Sequence, residues 1–140
     1  MKYLHTMLRV SDLEKSLHFY NIALGFKVVS RQDHAKDKFT LVFLFAPSDS
    51  IYPQPAPVAA PMIELTYNWG VSSYEKGNAY GHMAYQVESI EKIQIQLKQH
   101  GYDLSWGPAL SPSGNSRLAF IDDPDGYEIE LLEEIKPNQK

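Results

Sequence analysis

The 140-residue chain carries one pattern twice. His5-Thr6-Met7-Leu8-Arg9-Val10 and His82-Met83-Ala84-Tyr85-Gln86-Val87 each open a module, and each is followed at the same offset by a Glu-Lys pair, Glu14-Lys15 and Glu91-Lys92. Each half then closes on Ile-Glu-Leu, at Ile63-Glu64-Leu65 and Ile129-Glu130-Leu131. Conserved apolar spacing says that a folding unit was copied, so the chain must build two similar modules. One histidine and one glutamate per copy, kept in phase with that frame, point to four convergent metal ligands: His5, Glu64, His82 and Glu130.

Composition narrows the chemistry. The chain has no cysteine, which excludes disulfides, thiolate ligands and cysteine nucleophiles. A metal must therefore be held by nitrogen and oxygen. A net charge of −4 gives no footprint for nucleic acid or an acidic membrane. Arg9, Asp12, Glu14 and Lys15 interrupt the first twenty residues, which do not read as a secretory segment, and no apolar run approaches a membrane span. The expectation is a cytoplasmic enzyme or binding protein.

Periodicity predicts each half as strand–helix–strand–strand–strand. Residues 3–10 alternate as a strand, with Tyr3, His5, Met7 and Arg9 on one face. Ser11 and Glu14 have capping-box spacing, and Leu13, Leu17, Tyr20 and Leu24 continue as a helix that stops at Gly25. Strands follow over 26–30, 39–45 and 62–68, the first two separated by a charged turn at 33–38. Five of the nine prolines, Pro47, Pro53, Pro55, Pro57 and Pro61, fall in 46–61, which predicts an irregular loop, either a surface insertion or a flap over a pocket. In the second half, 81–87 is a strand, Ser89 caps a helix with Ile90, Ile93 and Leu97 on its buried stripe, and 102–106, 117–121 and 127–133 are strands. Asp123-Pro124-Asp125-Gly126 is a tight turn. The result is an α+β fold of tandem βαβββ modules, 1–70 and 79–134 with a tail at 135–140, whose curved mixed sheets form one metal-binding domain over 1–140.

Two imidazoles and two carboxylates suit a borderline divalent ion, and six-coordination leaves two neighbouring positions for water or a substrate with adjacent oxygens. Such an ion polarises a carbonyl, and a nearby carboxylate removes a proton from the adjacent carbon. Arg9 shares the face of His5, about 13 Å along an extended strand, and Asn68 stands likewise beyond Glu64. Both are placed to grip the far end of an elongated anionic substrate, with Arg9 as a bidentate clamp. His18, His34 and His100 have no counterpart in the repeat and read as solvated or half-buried side chains.

The strings Leu4-His5-Thr6-Met7-Leu8-Arg9-Val10, Glu64-Leu65-Thr66-Tyr67-Asn68-Trp69-Gly70, Tyr80-Gly81-His82 and Asp123-Pro124-Asp125-Gly126-Tyr127 resemble the bacterial glyoxalase I (lactoylglutathione lyase) family of the vicinal oxygen chelate superfamily. The resemblance runs from Met1 to Glu134. It implies a homodimer in which His5 and Glu64 of one subunit meet His82 and Glu130 of the other around one metal. It implies a small-molecule substrate, the hemithioacetal of methylglyoxal and glutathione, isomerised through an enediolate to S-lactoylglutathione in methylglyoxal detoxification. Glu130 matches the principal catalytic base and Glu64 the second carboxylate, while Arg9 and Asn68 match glutathione-binding positions. The short interval between Glu64 and His82 resembles the form that prefers Ni2+ or Co2+, with Zn2+ the alternative.

Two departures stand out. The Pro-rich segment before Glu64 is longer than in the short form. The loop Pro108–Ser116 lacks the lysine that relatives often place there for glutathione carboxylates, so that either Arg117 compensates or affinity for glutathione is lower. Competing readings are an epimerase or thiol transferase on the same scaffold, or a metal-free small-molecule binding module of similar fold. The intact His/Glu quartet weighs against each.

Overall fold

The computed structural model describes residues 1, 3–49 and 61–135. The chain forms two compact units, Met1–Glu75 and Lys76–Lys140, each built on a four-stranded mixed sheet.

In the first unit, β1 (His5–Arg9) leads through α1 (Leu13–Leu17) to β2 (Lys27–His34), β3 (Phe39–Phe45) and β4 (Met62–Asn68). Their order in the sheet is β1-β4-β3-β2. β1 lies parallel to β4, while β2, β3 and β4 run antiparallel. Parallel neighbours need a crossover, which α1 supplies. The helix cap is Asp12, not Ser11: its carboxylate accepts the Lys15 amide at 3.1 Å. Beyond Leu17 the helix widens to a π-helical turn over His18–Ala23, where the Leu24 amide reaches back to the Phe19 carbonyl at 3.0 Å. Spacing alone does not separate this turn from α-helix. It buries Phe19, Tyr20 and Ala23 with Val10, Val42, Leu44, Ile63 and Leu65. Burial of each large side chain contributes about 1.5–3 kcal/mol.

The second unit repeats the plan. β5 (His82–Val87), α2 (Ile90–Gln99), β6 (Trp106–Leu110), β7 (Ser116–Asp122) and β8 (Glu128–Glu134) give a sheet of order β5-β8-β7-β6, with β5 parallel to β8. Ser89 caps α2 through the Lys92 amide at 3.3 Å, as expected. Ile90 and Leu97 of α2 are fully buried, as are Ala119, Ile121 and Ile129 on one face of the sheet, with Leu131 nearly so. The Asp123–Gly126 turn closes with the Gly126 amide on the Asp123 carbonyl at 2.8 Å, and the buried Asp123 carboxylate accepts the Asp125 and Tyr127 amides.

Several boundaries differ from expectation. β2 extends to His34, so the charged turn is shorter than 33–38. No strand spans 102–105; the strand begins at Trp106 and pairs with β7 across a bulge between Trp106 and Ala109. Of the 46–61 loop, residues 50–60 lie outside the described residues, as do 136–140 of the tail. Position 107, at the start of β6, requires glycine: its φ of +88° lies in the left-handed region, and a Cβ there would stand 2.7 Å from the Leu118 carbonyl oxygen. Gly107→Ala is expected to cost about 2–4 kcal/mol, read as a lower urea midpoint at unchanged slope.

Candidate metal centre

Strand register brings one histidine and one glutamate together in each unit. His5 stands opposite Met62 and Met7 opposite Glu64, so His5 and Glu64 are diagonal neighbours on one face of parallel strands. Their Nε2 and Oε2 atoms lie 2.9 Å apart. In the second unit His82 stands opposite Glu128 and Ala84 opposite Glu130, the same diagonal, and the corresponding atoms lie 3.2 Å apart. The carboxylates are well sequestered, at 13% and 15% exposure, and the imidazoles are more open, at 34% and 43%. A sequestered carboxylate requires a partner, and in each unit the imidazole provides one.

The two copies are not equivalent. The Thr66 hydroxyl donates to Glu64 at 3.1 Å. The corresponding residue two beyond Glu130 is Leu132, which has no donor. Among the described residues the polar side-chain contact of Glu130 is His82 alone. The signal for Thr66 in the sequence is a hydroxyl two residues from the carboxylate on an alternating strand, which puts both on one face. A phenylalanine also stands opposite each glutamate, Phe43 at Glu64 and Phe120 at Glu130. Neither was singled out from sequence, because each reads as one more apolar strand residue.

Arg9 closes β1 on the face of His5, in register with Thr66. Asn68 closes β4, and its amide donates to the Tyr74 hydroxyl at 3.0 Å. His34 stacks on Phe39 with ring centroids 4.4 Å apart, which accounts for it as a packing residue.

Arg117 does not replace the missing loop lysine. Register puts it opposite Glu133, on the face that packs against α2 and away from the face of Glu130. There its guanidinium pairs with Glu91 and with Glu133 at 3.5 Å, while Glu133 also accepts the Ile90 amide at 2.8 Å. The hydrogen bond from Arg117 holds the Glu91 carboxyl down at about 2. The loop itself shrinks to 111–115, tied by the Ser111 amide on the Ser116 carbonyl at 2.8 Å.

Residues 2–131 match the family model described as the Glyoxalase/Bleomycin resistance protein/Dioxygenase superfamily. A probable lactoylglutathione lyase of Vibrio cholerae serotype O1 is 42% identical over 130 residues, covering 93% of this chain and 88% of the relative. A lactoylglutathione lyase of Escherichia coli O157:H7 is 39% identical over 135 residues, covering 96% and 93%. Among solved structures, a glyoxalase I of Leishmania major described as trypanothione-dependent superposes with a TM-score of 0.74 at 41% identity, covering 96% of this chain and 87% of that one.

The Arg117–Glu91 pair gives a signed pH dependence. A carboxyl held below its ordinary value stabilises the fold fully above about pH 4.5 and loses that contribution as pH falls toward 2. Glu91 is half-exposed, so the coupling energy from an Arg117→Met/Glu91→Gln double-mutant cycle at pH 7 is expected below about 1 kcal/mol. The same cycle at pH 2.5 is expected to give a smaller value. With the repeated fold and these paired imidazoles and carboxylates, the matches over nearly the whole chain identify it as a member of the glyoxalase superfamily, in its lactoylglutathione lyase branch.

Proposed function

We propose that this chain is a glyoxalase I, isomerising the methylglyoxal–glutathione hemithioacetal to S-lactoylglutathione with a divalent ion held by His5, Glu64, His82 and Glu130. The carrying observation is the duplicated imidazole–carboxylate pair. The imidazole nitrogen and carboxylate oxygen of each pair, 2.9 and 3.2 Å apart, stand close enough to bind one divalent ion together. Each unit supplies two ligands, and the complete set combines one pair from each kind of module. In a homodimer, His5 and Glu64 would meet the partner's His82 and the partner's Glu130. When bound, the ion polarises the substrate carbonyl and offsets charge developing on its oxygen.

The protein's own groups do the rest. Glu130 takes the proton from the carbon bearing sulfur and returns it to the neighbouring carbon, while the hydroxyl proton passes from the oxygen on the first carbon to that on the second, so that hydroxyketone becomes hydroxythioester with no net gain or loss of atoms. Its contact with His82 alone among the described residues suits a carboxylate that must move. Glu64, anchored by Thr66, suits the role of the fixed ligand and of base toward the opposite enantiomer. Arg9 and Asn68 hold the glutathione end, with Arg9 pairing a carboxylate. The proposed metal is Ni2+ or Co2+ ahead of Zn2+, and the proposed location is the cytoplasm. Among the described residues no helix is long and apolar enough to cross a membrane.

Metal-stripped protein is expected to regain thioester formation from methylglyoxal and glutathione best with Ni2+ or Co2+. Glu130→Gln is expected to keep its metal and lose turnover by roughly 10²–10⁴-fold; a native rate would refute the base assignment. Mixing the inactive His5→Ala/Glu64→Gln chain with the inactive His82→Ala/Glu130→Gln chain is expected to restore activity, because exchange of subunits leaves one site with all four ligands. Continued inactivity after demonstrated exchange would refute the shared site.

A further inference from the structure

We infer that Phe43 and Phe120 are positioning residues that set the ring planes of His5 and His82; the inference rests on the metal-site reading above. Each phenylalanine meets its histidine edge to face. The centroids are 5.4 Å apart at 79° for His5–Phe43 and 5.5 Å apart at 72° for His82–Phe120. The same geometry in two copies that have otherwise diverged is what a shared requirement leaves behind. Each phenylalanine also stands in register with the glutamate of its module, Phe43 at Glu64 and Phe120 at Glu130. A row of three side chains across three strands thus recurs as His, Glu, Phe.

The ring needs such support because of where it sits. β1 and β5 are the edge strands of their sheets, so each histidine has a neighbouring strand on one side only. Imidazole torsion about its second side-chain angle is broad. Metal-binding histidines elsewhere are commonly oriented by a hydrogen bond from their other ring nitrogen. Among the described residues, the polar contact of each ring here is its glutamate and its ring contact is its phenylalanine. Core packing does not account for the two phenylalanines. They project from the sheet faces opposite those that bury Val42, Leu44, Ala119 and Ile121 beneath the helices, and both remain partly exposed.

The modules differ one strand further out. Trp106 stands opposite Phe120, with ring centroids 5.8 Å apart, whereas Ser30 occupies the matching place opposite Phe43. The His82 row therefore has a brace that the His5 row lacks. Trp106 is half-exposed, so Trp106→Ser tests the row without opening the core.

The test titrates the metal-depleted full-length protein with Co2+ against a competing chelator, recording the visible cobalt bands, and assays the same variants for kcat and KM. Phe43→Leu and Phe120→Leu are expected to weaken Co2+ binding roughly tenfold, alter the cobalt bands, and lower kcat more than they raise KM. Phe43→Tyr and Phe120→Tyr keep the ring and are expected to match the parent. Trp106→Ser is expected to weaken binding by a smaller factor. Parent-like affinity and bands in both leucine variants would overturn the inference, as would tyrosine variants as impaired as the leucine ones. Melting curves identify any leucine variant that fails to fold, and the tyrosine and Trp106 variants then decide. His5→Ala and His82→Ala separate the two levels: if they bind Co2+ as the parent does, the metal-site reading itself fails and takes this inference with it.

Discussion

Parallel pairing of the first and last strands of each module is the constraint on which the rest of the structure depends. It puts His5 diagonal to Glu64 and His82 diagonal to Glu130, on one sheet face and at donor–acceptor distance. A one-residue slip of either strand would send its ligand to the helix-packed face. Register is therefore where fold and chemistry meet. It is fixed from the other side of the sheet, by Ile63 and Leu65 under α1 and by Ile129 and Leu131 under α2. Apolar burial on one face thereby sets the placement of charge on the other.

Duplication supplied the pairs, and divergence made them unequal. Thr66 holds the first carboxylate, while Leu132 leaves the second without that tether. Trp106 extends the aromatic row in the second module and Ser30 ends it in the first. In the proposed mechanism a base travels between carbons and a ligand stays, and the unequal tethering of the two glutamates matches that division of labour.

Much of this was legible in the residues. Alternation placed β4 at its observed bounds, β5 within one residue and β1 within two, and the repeat singled out His5, Glu64, His82 and Glu130 from among five histidines and the acidic residues of the chain. What escaped notice depends on contacts distant in sequence. The π-helical turn at His18–Ala23 buries Phe19 and Tyr20 together, and helical spacing does not distinguish it from α-helix. The close passage of Gly107 by Leu118, beside the start of β6 at Trp106, is a contact between strands that local spacing does not show. Arg117 was a plausible substrate cation until strand parity turned it toward Glu91 and Glu133. Thr66, Phe43 and Phe120 were each visible as strand residues, but their roles appear only when register names their neighbours.

The central claim is that one ion is held by an imidazole and a carboxylate from each kind of module. X-ray absorption at the nickel edge of reconstituted protein measures that ligand set directly. The account predicts two imidazoles with oxygen filling the remaining positions, falling to one imidazole in either His5→Ala or His82→Ala. A bound ion with one imidazole in the parent protein, or with two that persist in either variant, would contradict it.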